Sequence, residues 1–325
     1  MRSLYWFHND LRLADNPGLL AQAASCDELI LLYCRHEPRP WCNLSGMGQQ
    51  RRRFLLESLQ ALQDDLATRG QHLLVVEDHP ERVLPALVEK YRISSVATAR
   101  APGYYERKTL TALSARLPVP LSVFSGNTLF DEDQLPVPLA SLPAHYSPFK
   151  RRVAEQTPDE PLAPPPDLPP PPAAIRYQHP GAEPLINAHP ALAIRGGAAE
   201  GRRRLQHWIF EQRGITDYKE TRNSLDALTG SSTLSPWLAN GCLSPRQVAA
   251  AIFAYEECFG RNESSHWLWL ELLWREYFQW RALRDDVGLF RAHGTRKPGD
   301  KRRLCTFEPR EKRSARSRRP VGCSI

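Results

Sequence analysis

The chain has 325 residues, 24% charged and 42% hydrophobic, the make-up of a soluble globular protein with room for two cores. It holds no run of about 18 apolar residues and no apolar leader at its start, which argues against a membrane span and a secretory signal. Seven scattered cysteines without a C-x-x-C pair argue against a disulfide framework and a zinc site, so a reducing cytoplasm is the expected location and no metal is expected. The net charge of +7 is local: residues 296–319 carry eleven Lys or Arg against three acids, and the rest of the chain is close to neutral. The basic balance therefore describes the tail and not a nucleic-acid-binding face on the folded part.

From residue 1 to about 130, strand and helix signals alternate. The apolar runs 3–7, 28–34, 72–76, 95–99 and 121–124 read as strands buried on both faces. Between them lie helical patterns. The longest is Gln49–Arg69, with Phe54, Leu55, Leu59, Leu62 and Leu66 on one side and Gly70 as its stop. Such alternation predicts a Rossmann-like parallel sheet covered on both faces, which binds ligands beyond the carboxyl ends of its strands. The first strand runs into HNDLRLADNP and not into a Gly-x-Gly-x-x-Gly loop, so a dinucleotide on the usual fingerprint is not indicated. In that stretch Asn9, Asp10, Arg12, Asp15 and Asn16 read as a polar loop, with Asp15 or Asn16 capping a helix begun at Pro17; a catalytic cluster is the alternative.

Residues 131–197 read as a connector, and nine of the fifteen residues 158–172 are proline. This favours an extended strap that spans a distance without a core. From 198 the signals are helical only. GRRRLQHWIFEQRG is closed by Gly214, and Ser235-Pro236 opens a short helix ended by Gly241. Ser244-Pro245-Arg246-Gln247 is a capping box, followed by Val248, Ile252, Tyr255 and Phe259 on one side.

Two stretches carry candidate chemistry. In GSSTLSP (230–236), four hydroxyls precede a helix N-terminus, which suits either a phosphate cradle or ordinary capping. Tyr218 and Arg222, one turn apart upstream, can add a ring and a cation. In WLWLELLWREYF (267–278), steps of three and four place Trp267, Glu271, Trp274, Arg275 and Phe278 on one side of a helix. Charges buried there must be partnered. They form either an internal Glu271–Arg275 pair on a core helix or a pocket wall offering rings, an acceptor and a planar donor.

Five collinear motifs then resemble the DNA photolyase and cryptochrome family, and most closely its DASH-type branch: WFHNDLRLADNPGL (6–19), GNTLFDEDQLP (126–136), YKETRN (218–223), GSSTLSPWLANGCLSPRQV (230–248) and WLWLELLWREYF (267–278). The resemblance implies an α/β antenna domain (1–130), the connector (131–197), part of an all-α FAD-binding domain (198–295) and a basic tail (296–325). It places FAD against Tyr218, Ser231, Ser232, Thr233, Leu234, Ser235, Glu271 and Arg275. Glu271 and Trp274 are then catalytic, Arg222 and Trp274 touch DNA, and Tyr105 and Glu106 meet a 5,10-methenyltetrahydrofolate antenna. The implied activity is blue-light repair of pyrimidine dimers by a monomer. DNA, single-stranded in this branch, is the implied partner, with RNA as an alternative. A non-catalytic blue-light receptor or nucleic-acid binder is the second class, and an α/β chromophore module with a vestigial helical arm the third.

His8 stands where the family has Arg, and the family's later elements are not found. Those are a Gly-x-Pro segment, a Met-Arg element, an Asp-x-Asp pair, an Asn facing the flavin and a tryptophan relay. The only methionines are Met1 and Met47, and the last tryptophan is Trp280. The expectation is a reading frame lost or cut short near 296–308, a flavin pocket without its isoalloxazine half, and weak or absent FAD retention.

Overall fold

Five strands, β1 (Arg2–Phe7), β2 (Glu28–Cys34), β3 (Leu73–Val76), β4 (Ser95–Ala99) and β5 (Leu121–Phe124), form one parallel sheet in the order β3-β2-β1-β4-β5. All five follow the apolar runs of the sequence, but β5 is not the buried strand expected: it is an edge strand, half-buried or exposed along its length, with Val123 39% exposed. The chain winds outward from β1 to β3, then returns to β4 on the other side of β1. The switch in direction therefore lies between β1 and β4. The computed structural model describes residues 1–36, 46–175, 177, 194–224, 230–291, 294 and 295, so the basic stretch 296–325 lies outside the described residues. Met1–Asp286 form one compact unit and Val287–Ile325 a second. In the second, the Gly294 N–H bonds the Arg291 carbonyl at 2.8 Å in a turn.

Strand periodicity sorts the core. Tyr5, Phe7, Leu29, Leu31, Leu73 and Ala97 point to one face of the sheet, and Leu4, Trp6, Ile30, Leu32 and Val96 point to the other. The second face is closed by helices α3 (Pro80–Tyr91) and α4 (Tyr104–Arg116) through Val83, Leu84, Val88, Leu110 and Leu113. The first face meets α1 (Pro17–Ala24) and α2 (Gln49–Ala67). Asn16 is the cap of α1, accepting from the Leu19 N–H at 3.1 Å. In α2 the expected stripe Phe54, Leu55, Leu59, Leu62 and Leu66 is buried, and Gly70 lies beyond its end at φ 67°.

That first core continues into the helices that follow: α5 (Tyr146–Val153), α6 (Ala198–Gln206), α7 (Tyr218–Thr221), α8 (Ser235–Asn240), α9 (Pro245–Phe259) and α10 (Glu263–Asp285). The helix expected over 201–214 begins at Ala198 and ends in a π-helical turn, His207–Glu211. Ser244 and Gln247 form the expected capping box of α9. Phe259, expected on its buried side, is 46% exposed and lies under the Arg213 guanidinium, because the helix runs past the core at its end.

The proline stretch is not a free spacer. Prolines cannot donate, but their carbonyls accept, and the chain uses them. Leu29 N–H reaches Pro170 O at 3.1 Å, Arg69 Nε reaches Pro165 O at 3.2 Å, and Gln71 Nε2 reaches Pro169 O. Leu168 is buried, so the strap belongs to the core it crosses.

The polar loop after β1 is the junction between sheet and helices. Arg12 is buried and donates to Asn127 Oδ1, Gly241 O, Asp15 O and Gly126 O. Asp15 pairs with Arg246 of α9 at 2.8 Å, both buried. At Gly241 the backbone turns with φ 68°, and a Cβ would lie 1.9 Å from Asn9 O, so only glycine lets the loop approach. Among the described residues, no helix is long and apolar enough to cross a membrane.

Candidate functional site

Helix α10 sets the site. Asn262 caps it, accepting from the Ser265 N–H at 2.8 Å. Leu268, Trp269, Leu272, Leu273, Glu276, Tyr277 and Trp280 form its buried face. The opposite side carries Trp267, Glu271, Trp274, Arg275 and Phe278, of which Trp274 is 41% and Phe278 59% exposed.

Glu271 and Arg275 do not pair, which corrects the internal ion pair offered as one reading of the helix. Glu271 instead faces α7. It accepts from the Tyr218 hydroxyl and, at 3.1 Å, from Trp267 Nε1, and it pairs with Arg222 Nε at 3.2 Å. The Arg222 guanidinium also lies 4.6 Å from the centre of the Trp267 ring. Burial first, and Glu271 second, hold the Tyr218 phenol well above its ordinary range, so it stays a donor. Arg275 turns the other way and donates to Asn127 O at 2.7 Å and Leu238 O at 3.4 Å. Its surroundings are buried, which lowers its pKa from the ordinary arginine value. The two charges part because each finds a better-placed partner on another element, far away in sequence.

The hydroxyl stretch lies beside this wall. Its backbone carbonyls are held from behind: Arg204 donates to Ser231 O at 3.0 Å and to Ser232 O at 3.1 Å. Thr233 adopts φ 54°, with its N–H 3.4 Å from Ser231 Oγ and its own hydroxyl on Ser232 O at 2.8 Å. The hydroxyls do not cap α8. Its N-cap is Leu234, with no side-chain cap bond, and Ser235 is exposed. Ser232 is buried and bonds Tyr218, which joins the stretch to the Glu271 cluster.

Trp274 stacks on Tyr146 of α5 with ring centres 3.6 Å apart at 18°, and on Phe278 at 5.5 Å and 22°. Tyr146 is held by its hydroxyl on Leu270 O at 2.8 Å. The result is an aromatic step open to solvent on one edge. Tyr105 and Glu106 are not part of it. They lie in the first turn of α4, both exposed, after the switch point of the sheet. A cleft of about 790 Å³ adjoins them, lined by Arg100, Tyr104, Arg107, Lys108 and Leu283 among others. Their neighbours line it, and they do not. Glu106 is close enough to His8 to oppose the drop in that imidazole's pKa, which is caused mainly by burial.

Sequence reasoning missed Glu276. It is fully buried, and burial pushes its carboxyl up to about 7. It accepts from Leu129 N at 2.8 Å, Phe130 N at 3.3 Å and Trp280 Nε1 at 2.6 Å. A signal existed. Leu268, Trp269, Leu272, Leu273, Tyr277 and Trp280 trace the apolar phase of the helix, and Glu276 falls in that phase. Tyr146, the stacking partner, left no comparable signal.

The DNA photolyase family model matches residues 3–171, more than half of the chain. The chain belongs to the DNA photolyase and cryptochrome family. Within it, the chain is most like the DASH type. It is 38% identical over 295 residues to the cryptochrome DASH of Idiomarina loihiensis, covering 90% of this chain and 65% of that relative. The cryptochrome DASH of Vibrio parahaemolyticus is 36% identical over 299 residues, at 90% and 66% coverage. The crystal structure of a Synechocystis cryptochrome superposes with a TM-score of 0.82 at 32% identity, over 91% of this chain and 64% of that one. A class III photolyase from Agrobacterium tumefaciens shares the fold, with a TM-score of 0.75 at 24% identity, over 88% of this chain and 60% of that one. This photolyase-type chain thus spans about two thirds of the length of these relatives.

Proposed function

We propose that the chain is a blue-light flavoprotein whose α7–α10 wall holds FAD by its phosphate and ribityl portion. The observation that carries this is the convergence of Tyr218, Arg222 and Trp267 on Glu271, with Ser232 bonded to Tyr218, beside a hydroxyl loop at an uncapped helix start. The donor set fits the group. Ser231 and Ser235 offer hydroxyls to phosphate oxygens, Ser232 and Thr233 hold the loop through their bonds to Tyr218 and to Ser232 O, and Arg222 offers charge. Glu271 offers an acceptor to sugar-like hydroxyls, and Leu234 and Arg275 complete the proposed contacts to the cofactor. Bound FAD would supply the light-driven one-electron chemistry by which this family splits pyrimidine dimers.

The chain's own residues do the rest of the work. Glu271 orients, because it accepts from several donors at once and fixes their directions. Trp274 offers its solvent-open edge to a base turned out of a DNA strand, with Tyr146 and Phe278 stacked on the ring and keeping it in place. Arg222 neutralises a phosphate. Single-stranded DNA with a dimer is the substrate this reading favours, since the base is then free of its stack at least cost. In the same reading the helices from 198 to 295 form the FAD-binding part. The α/β part, 1–130, carries a 5,10-methenyltetrahydrofolate antenna at the cleft beside Tyr105 and Glu106, where Lys108 suits its carboxylates and Arg100 and Arg107, paired with Glu132 and Asp286, would exchange partners to join it.

Titrating the purified chain with FAD and following flavin fluorescence tests the reading. Only the phosphate and ribityl contacts are in place, so weak but saturable binding at about one FAD per chain is expected, and added FAD that never saturates would contradict it. Repair of a dimer-containing oligonucleotide under blue light then separates a photolyase from a non-catalytic receptor.

A further inference from the structure

The loop 126–130, GNTLF, runs between the sheet and α10, and it is gripped from both sides. From the sheet side, Arg12 Nη1 donates to Asn127 Oδ1 at 3.2 Å and Arg12 Nη2 to Gly126 O, while Asn127 Nδ2 donates to Asn9 O at 2.8 Å. From the helix side, two adjacent residues of α10 take hold. Arg275 Nη1 donates to Asn127 O at 2.7 Å, and Glu276 accepts from Leu129 N at 2.8 Å and Phe130 N at 3.3 Å.

Glu276 is the unusual member. It sits at 0% exposure in the apolar face of α10, between Leu272, Leu273 and Trp280. A carboxyl in such a place is costly unless its oxygens are satisfied, and here three donors satisfy them, two from the loop and one from the Trp280 indole at 2.6 Å. Each of those partners donates. A proton on the carboxyl therefore weakens its hold on at least one of them. The charged and titratable groups that face it are few: Arg275 on α10, and Arg12, which reaches the same loop from the β1–α1 segment.

We propose that Glu276 is a positioning residue, which fixes the 126–130 loop on α10 and through Asn127 O sets the direction of the Arg275 guanidinium in the wall above. Its role for a bound cofactor rests on the reading of that wall as the FAD site; its hold on Arg275 does not. The buried carboxyl titrates near neutral pH, so the grip on the loop changes across the physiological range.

Nitrogen-15 NMR of the full chain tests this without a ligand. The Trp280 indole and Arg275 Nε–H resonances are expected to shift together with pH, with one midpoint near 7, and both are expected to be flat in Glu276→Gln. If Trp280 titrates while Arg275 stays still, Glu276 is only a structural anchor and the proposal is overturned. If neither titrates in the wild type, it is overturned as well, whether or not the variant folds. A second titration uses FAD. Glu276→Gln is expected to weaken FAD roughly tenfold, as Arg275→Ala does, with no further loss in the double variant. Wild type that binds no FAD while both resonances titrate removes the flavin reading and leaves the positioning of Arg275 intact.

Discussion

Two carboxylate–guanidinium pairs in this molecule look alike in distance and differ in surroundings. Asp15–Arg246 joins the β1–α1 loop to α9 at 2.8 Å, with side chains 0% and 7% exposed. Glu271–Arg222 joins α10 to α7 at 3.2 Å, with side chains 37% and 23% exposed. The first cannot exchange its partner without leaving a charge stranded in the core, so it serves architecture. The second is wet enough to trade partners, so it suits a binding wall. Chemical type does not separate the two; access to water does.

Removing one partner from each pair breaks the comparison most sharply. Arg246→Ala removes the ion-pair partner of Asp15, leaves its buried carboxylate with the Leu162 N–H, and is expected to lower stability by about 3–5 kcal/mol in denaturant unfolding. A loss under about 1 kcal/mol would show that Asp15 finds water. The next effect is pH. Glu276 has a folded-state pKa of about 7, above its ordinary value of 4.5. Its neutral form is therefore favoured in the folded chain. That stability is full below about pH 4.5 and is lost as pH rises to about 7, a change of about 3 kcal/mol. Glu276→Gln should flatten this part of the stability–pH curve, and a variant curve parallel to wild type would assign the slope to other groups.

Smaller effects sharpen the other half. Trp274→Ala removes a ring that is 41% exposed but stacked on Tyr146 and should cost about 1 kcal/mol. Trp280→Ala, at a site with 0% exposure, should cost about 3–5 kcal/mol, and equal losses would mean that α10 has no distinct outer face. Arg222→Ala should cost less than about 1 kcal/mol in thermal or denaturant melts while weakening FAD, a split that a purely structural ion pair would not show.

The sheet was legible because its central strands β1, β2 and β4 are buried on both faces and so read as unbroken apolar runs, while the edge strands β3 and β5 kept short apolar runs despite their partial exposure. Helix starts were legible because Asn16 and the Ser244–Gln247 box cap them through local bonds. What local sequence could not show was pairing between distant elements. Glu271 and Arg275 stood out as charges in an aromatic helix, yet their partners come from α7 and from the loop at 127, which no spacing within the helix reveals. Glu276 lies one residue past Arg275 but belongs to the apolar phase of α10, and the charged stripe beside it drew the reading to the other face. The proline strap was read as a spacer because composition reports the missing donors and says nothing of the carbonyls that hold it.

The most direct measurement is an FAD titration of wild type beside Glu271→Ala, with melting recorded on the same samples. The account predicts saturable binding to wild type, about tenfold weaker binding to the variant, and melting within a few degrees of wild type. Equal affinity in the two proteins, or a variant that loses FAD only because it unfolds, would contradict it.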